Sequence, residues 1–362
     1  MGKVIFPRDT GGSAGCCSQV IPLPLPGGAP YKMVQVFFGT DRQLVSNAKS
    51  LRDTFSENRG HAISYGTTVV SIPLRHKIGR MEDPIILRQY FADPKKHIVL
   101  LRIDLREQSE LINDLRAAVT GGKANEALIF VHGFNTTFED AARRTAQIAH
   151  DIEFAGVPMF YSWPSGGKPL DYVSDGNDAD QAVSYLKLFL KHITEHAKFT
   201  AVTLLAHSMG NRTLTQAFIA LRNEIPAEHL QVFKEIILAA PDIDADVFKN
   251  EIAPALIASK LPVTVYASST DSALIASKKL NGAPRAGDSG TGLVVMEGME
   301  TIDATNVDTS LFWNLGHGYI ADDRNVLSDL NYLIVKGLRA SRRYGLEPIP
   351  SPIDTKYWKF KQ

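Results

Sequence analysis

From Met33 onward the chain alternates short apolar runs with segments whose apolar residues recur every three or four positions. The first kind predicts strands and the second helices. Residues 34–38, 62–72 and 98–103 read as strands, the first two as a mixed or antiparallel edge, and 108–119 as a helix. A stricter rhythm then sets in. Ala127-Leu128-Ile129-Phe130-Val131 is a continuous apolar run, the mark of a strand buried on both faces. Residues 136–154 predict a helix and 157–161 a strand. Ala182, Leu186, Phe189, Leu190 and Ile193 form a helical stripe within 179–197, and 202–205 is again a strand. Leu214, Ala217, Phe218 and Leu221 make a second stripe. Strands at 236–238 and 263–266 follow, with a fainter one at 293–296 and a terminal helix at 323–338.

Strands and helices in alternation imply a mostly parallel central sheet covered by helices on both faces. Right-handed crossovers then bring the C-terminal ends of the strands to one edge, where sites form in such folds. No linker or repeat divides the periodic region, so one α/β domain is expected over residues 33–338. Residues 1–32, with Pro-Leu-Pro-Leu-Pro at 22–26, read as a flexible arm, and 339–362 as a basic, Pro-interrupted extension.

Composition narrows the classes. The 362 residues are 44% hydrophobic and 22% charged, enough for a sizeable core. Basic and acidic residues both number 39, so the basic excess of a nucleic-acid binder is missing. Cys16 and Cys17 are adjacent and imply no disulfide framework. The leader lacks the apolar stretch of a signal peptide, and no segment reaches the ~20 apolar residues of a membrane span. A cytoplasmic protein is the expectation, with no integral membrane segment and an undetermined oligomeric state.

The chemistry gathers at Leu204-Leu205-Ala206-His207-Ser208-Met209-Gly210-Asn211, where a strand hands over to a helix. A serine hydroxyl attacks only if it is exposed, oriented and beside a base. A sharp strand-turn-helix corner supplies the exposure and needs small residues two before and two after the serine. Ala206 and Gly210 fill those places, giving A-x-S-x-G for the usual G-x-S-x-G. The alternative is that Ser208 merely caps the following helix. Upstream, Phe130-Val131-His132-Gly133-Phe134-Asn135 ends another buried strand. Acyl transfer needs two donors aimed at the developing oxyanion; the amides of Met209 and Phe134 are the candidates, with His132 structural.

A general base should follow the serine in the chain. His192 and His196 precede it, His207 adjoins it, and His229 lies in a polar stretch. His317, between Gly316 and Gly318 and just before the terminal helix, is where a base belongs. The acid that orients it has two candidate positions. Asp271, just after the strand at 263–266, is favoured. Asp242 and Asp244, after the preceding strand, are the alternative; they could equally form a turn, cap a helix near Ala245 or line the acyl pocket. The Gly-rich stretch 277–292 reads as a flap over the pocket or an ordinary surface loop.

Several linked segments resemble a known family: Phe130-Val-His-Gly-Phe-Asn-Thr-Thr-Phe138, Tyr161-Ser-Trp-Pro-Ser165, Ala206-His-Ser-Met-Gly-Asn-Arg212 and Ala239-Ala-Pro-Asp-Ile-Asp244. Phe38-Gly-Thr-Asp-Arg42, Tyr65-Gly66, Val70-Ser-Ile-Pro73 and His317-Gly-Tyr319 extend the likeness. They are similar to a bacterial branch of the α/β-hydrolases, an esterase/lipase-like family of unknown function (DUF900-type), over about residues 33–338. The resemblance implies the α/β-hydrolase fold and a Ser-Asp-His triad mapping to Ser208, Asp271 and His317. It implies no settled substrate. The expected activity is cleavage of a small-molecule ester through an acyl-enzyme, without metal or organic cofactor. Acyl transfer, thioester or amide cleavage by the same triad, or a non-catalytic binding domain of this fold, are the alternatives.

Overall fold

The computed structural model describes residues 30–84, 92–122, 124–166, 172–269, 282–305, 324–350 and 356–361. Their frame is an eleven-stranded, mostly parallel sheet in the order β10-β11-β9-β8-β7-β6-β4-β5-β1-β2-β3. At one end, β1 (Tyr31–Leu44), β2 (Phe55–Pro73) and β3 (Val99–Arg106) pair antiparallel, the expected edge. The centre is parallel: β4 (Glu126–Val131), β5 (Val157–Ser162), β6 (Ala201–His207), β7 (Phe233–Ala239), β8 (Val263–Ala267) and β9 (Glu300–Asp303).

Burial explains why these runs are strands. Leu128, Ile129 and Phe130 of β4 are all buried, as are Leu204 and Leu205 of β6, because helices cover both faces. On one face lie α1 (Gln108–Thr120), α3 (Tyr172–His196) and α4 (Gly210–Arg222). On the other lie α2 (Phe138–Asp151) and the terminal helix Arg324–Leu330. Both sequence stripes, Ala182 to Ile193 and Leu214 to Leu221, face the core and are buried. Burying each Leu or Phe stabilises by about 1.5–3 kcal/mol before entropy is charged against it. Among the described residues, no helix is long and apolar enough to cross a membrane.

Several elements differ from expectation. The strand expected at 293–296 is irregular chain. Val294 is buried without joining the ladder, and its carbonyl accepts the Thr301 hydroxyl at 3.0 Å. The neighbour of β8 is instead β9, whose Glu300 and Asp303 hid it from a hydrophobic scan. Helix α3 starts at Tyr172, a turn and more before the stripe that announced it. Among the described residues after 338, two segments return to the sheet. β11 (Lys356–Phe360) pairs parallel with β9 through Trp358 and Ile302, and β10 (Leu346–Pro350) closes the edge. Pro348 and Pro350 fit there because an edge strand has one unpaired side.

Candidate active site

The order β9-β8-β7-β6-β4-β5 sets the C-terminal ends of these parallel strands side by side. Ser208 follows β6 at the centre of that edge. Its φ is 49°, in the left-handed region that side chains rarely adopt. Such a residue costs of order 1–3 kcal/mol and persists only where its surroundings over-determine it. Those surroundings are visible. The Ser208 amide donates to Ala239 O at 3.0 Å. Its carbonyl accepts the amides of Asn211 at 3.1 Å and Asp242 at 3.2 Å, with Asn211 Nδ2 at 2.9 Å. The same Asn211 amide group also donates to Ala239 O at 2.9 Å. Ser208 is thus pinned to the adjacent β7 loop from both sides of its peptide.

Ser208 is 1% exposed, more enclosed than a corner serine was expected to be, because the β4 loop packs against it. A β-carbon at Gly133 would stand 2.9 Å from Ser208 Cβ, so only glycine allows that approach. Helix α4 starts directly after Met209, with no side chain capping it, so Ser208 does not act as the cap. The Met209 amide is among the first N–H groups of that helix, which have no partner within it.

The β4 loop, 132–137, is the second wall. Asn135 is also left-handed, at φ 56°, and Thr137 caps α2 by accepting the Asp140 amide at 3.2 Å. His132 is buried against Trp163, their rings stacked 5.1 Å apart, and Trp163 Nε1 donates to the His132 carbonyl at 2.8 Å. His132 Nδ1 donates to Gly133 O at 2.8 Å, and Nε2 lies 3.0 Å from Ser162 Oγ. Burial, with the nearby Arg42 cation, pushes the imidazole pKa down to about 3 against the pull of the Gly133 bond. The ring is therefore neutral, its proton on Nδ1, and Nε2 accepts from Ser162.

From the sequence alone, Arg42 has no role. It lies 2% exposed behind this loop, donating from Nε to Ser162 Oγ at 2.8 Å, from Nη2 to Thr136 O at 2.6 Å and from Nη1 to Ser165 O at 3.1 Å. Ser165 Oγ in turn donates to Asp175 Oδ2 at 2.6 Å. No spacing in the sequence announces this cluster, since Arg42 lies more than 90 residues from Thr136, Ser162 and Ser165.

The third wall follows β7. Ala240 is left-handed, at φ 46°. The carboxylate of Asp242 is buried; Arg285 Nε donates to Oδ1 at 2.8 Å and Tyr172 OH to Oδ2 at 2.7 Å. The Tyr172 ring meets Phe134 edge to face at 5.4 Å, tying the second wall to the third. Asp244 accepts the amides of Asp246 and Val247 at 2.9 and 3.1 Å, the capping role open to it from the sequence. Within 277–292, residues 285–288 are buried and are neither flap nor surface loop. The amides of Ala286 and Gly287 donate to Ile243 O and Pro241 O at 2.8 and 2.9 Å, and Ser268 donates to Gly287 O at 2.9 Å. That segment is threaded between the ends of β7 and β8.

Asp271 and His317 lie outside the described residues. In the sequence they come four residues after Ala267, the last of β8, and fourteen after Asp303, the last of β9. Those two ends are joined by Ser269, whose amide donates to Thr305 Oγ1 at 3.2 Å. Of the other histidines, His192 bonds Tyr65 OH at 2.9 Å on α3, and burial pushes His207 down to about 3, with Arg144 adding to the fall. Among the described residues, no group of three or more His, Cys, Asp or Glu side chains is placed to hold a metal.

No curated protein matches the chain. Among solved structures, it is similar to a protein assigned to the α/β hydrolase superfamily from Xanthomonas campestris pv. campestris. The identity is 16%, over 59% of this chain and 99% of that one, with a TM-score of 0.31. An inhibited esterase B from Lactobacillus rhamnosis matches at 11% identity over 62% and 75% of the two chains, TM-score 0.27. A prolyl endopeptidase matches at 12%, over 75% of this chain and 35% of that one, TM-score 0.28. Likenesses this distant carry no argument about chemistry. The family model is the stronger finding: spanning residues 107–336, more than half of the chain, it shows that this protein belongs to the α/β hydrolases of unknown function (DUF900).

Proposed function

We propose that the protein is a serine hydrolase that cleaves a carboxylic ester through an acyl-enzyme, with Ser208 as nucleophile. The observation that carries this reading is the left-handed φ of 49° at Ser208, held between a buried strand and a helix. A strained corner at that place in an α/β-hydrolase sheet is what presents a nucleophilic hydroxyl. In the proposed reaction His317 takes the Oγ proton as the oxygen attacks the ester carbonyl. Asp271 orients the imidazole and stabilises its cation. The amides of Met209 and Phe134 hold the oxyanion, the alcohol leaves with the proton from His317, and water activated by His317 releases the acid.

The acid is assigned to Asp271 rather than to its alternatives because of what those groups already do. Asp242 is committed to Arg285 and Tyr172, and Asp244 to two helix amides. Turnover of p-nitrophenyl esters of graded acyl length tests the proposal. Wild type should hydrolyse at least one ester, Ser208→Ala none, and Asp271→Asn should lose about 10⁴-fold in kcat. If Asp242→Asn abolishes turnover while Asp271→Asn does not, the acid is Asp242. Product analysis with a competing alcohol or amine acceptor separates hydrolysis from acyl transfer.

A further inference from the structure

We infer that His132, held by Ser162 and Arg42, is a positioning residue that aims the oxyanion-binding amide of Phe134. The inference rests on the assignment of that amide in the proposed function and adds the device that orients it.

The argument starts from one planar group. The carbonyl of Gly133 and the N–H of Phe134 belong to the same trans peptide, so they point in opposite directions. Whatever fixes the carbonyl fixes the N–H. The Gly133 carbonyl accepts His132 Nδ1–H at 2.8 Å, which leaves the Phe134 N–H on the far side of that peptide from the imidazole. Gly133 itself lies against Ser208, where a β-carbon would come within 2.9 Å of Ser208 Cβ. An isolated glycine peptide is free to flip, since glycine populates both signs of φ. Here the flip would break the His132 bond in a buried site, where an unmet donor costs far more than in water.

The bond works only if the proton sits on Nδ1, and the chain supplies that condition. Arg42 Nε donates to Ser162 Oγ at 2.8 Å, so the hydroxyl turns its own hydrogen to His132 Nε2, 3.0 Å away. An accepting Nε2 on a neutral ring places the single proton on Nδ1. Burial lowers the Arg42 pKa to about 10, so near neutral pH it stays a charged donor and cannot reverse the direction of the chain. The stacked Trp163 ring, whose Nε1 holds the His132 carbonyl, stops the imidazole from rotating. The order Arg42, Ser162, His132, Gly133 is therefore a one-way relay with the Phe134 amide at its end.

The test measures phosphonylation of Ser208 by a fluorophosphonate probe. In that reaction the Oγ–P bond forms, the P–F bond breaks, the Oγ proton passes to the base and fluoride leaves. The phosphoryl oxygen uses the oxyanion donors, so a misaimed amide lowers kinact and leaves KI alone. His132→Leu should lower kinact by about one hundredfold, the usual effect of losing one such donor, with KI within about threefold of wild type. His132→Asn, whose amide nitrogen can occupy the Nδ1 position, should recover about tenfold of that loss, which a purely structural role would not require. Ser162→Ala frees the tautomer and should lower kinact about tenfold in the folded protein with KI kept, together with a lower Tm because the buried Arg42 Nε loses this acceptor. The relay is overturned if His132→Leu keeps wild-type kinact, or if His132→Asn labels no faster than His132→Leu. Should His132→Leu fail to fold, Ser162→Ala decides, and unchanged labelling overturns it. A wild-type protein that forms no adduct overturns the nucleophile assignment and the relay together; a labelled wild type with unaffected variants overturns the relay alone.

Discussion

Gly210 stands so close to His132 that a β-carbon at position 210 would meet the His132 carbonyl oxygen at 2.2 Å and that of Val131 at 2.8 Å. The first residue of α4 is thus wedged against the end of β4, and the two loops that flank the candidate site share one backbone contact. The expected effect of Gly210→Ala is a loss of about 2–4 kcal/mol in urea denaturation, because backbone rather than a flexible side chain must move. Labelling of Ser208 should slow in the fraction that still folds. A variant as stable as wild type would show that the two loops are not interlocked.

The strain at Ser208 can be measured apart from its chemistry. With φ at 49°, a β-carbon is unfavourable at this position whatever the side chain beyond it. Ser208→Gly should therefore be more stable than Ser208→Ala by about 1 kcal/mol, reversing the order found in helices and strands. Both variants should be inactive. Thermal melts of the pair decide it, and an alanine variant that is the more stable would remove the strained corner from the account.

At the opposite end of the sheet, His76 is clasped between two carboxylates, Nδ1 to Glu82 and Nε2 to Asp151, each at 2.7 Å. Burial opposes the charge, but the bonds and charges of Asp151 and Glu82 outweigh it and lift the imidazole pKa from 6.5 to about 9. A folded-state pKa above the unfolded value means that the stabilisation is fully present below pH 6.5 and is lost as pH rises through 9. The expected contribution is on the order of 2 kcal/mol. Comparing wild type with His76→Gln by urea denaturation at pH 6 and pH 9.5 isolates it: the gap between the two proteins should be wide at pH 6 and nearly closed at pH 9.5.

The C-terminal residues are joined to the sheet by ion pairs, those of Arg343 buried and those of Arg339 partly exposed. Arg343 Nη1 donates to Asp329 Oδ2 at 2.7 Å and to Tyr266 OH at 3.1 Å, and Nη2 to Glu300 Oε2 at 2.8 Å. Arg339 bridges Glu300 at 2.7 Å and Glu235 at 2.5 Å. Removing Arg343 leaves the buried Asp329 carboxylate without its cation, so Arg343→Met should cost about 3–5 kcal/mol. Deletion of residues 339–362 should prevent folding rather than yield a trimmed domain, as circular dichroism of the purified variant would show.

How far the sequence discloses this molecule depends on where the signal lies. The parallel core is legible because β4, β6, β7 and β8 are apolar runs buried on both faces, and because α3 and α4 carry clean stripes. β9 is not, since Glu300 and Asp303 enclose only two of its residues and serve ion pairs that sequence does not reveal. Nor are β10 and β11, where two prolines in the edge strand and two lysines in its neighbour read as a tail. Within the site, the corner at Ser208 is legible from Ala206, Ser208 and Gly210. Arg42, Ser162, Tyr172 and Arg285 are not, because three-dimensional closure alone brings them together. Arg285 sits in a glycine-rich stretch that reads as a loop, yet its guanidinium is what engages Asp242.

Peptide mapping by mass spectrometry after incubation of the folded protein with a fluorophosphonate is the most direct measurement. A single phosphonyl adduct on Ser208, lost in Ser208→Ala and in protein unfolded before labelling, is the predicted result. An unmodified Ser208, or an adduct elsewhere that persists in Ser208→Ala, would contradict the proposal that this corner carries the nucleophile.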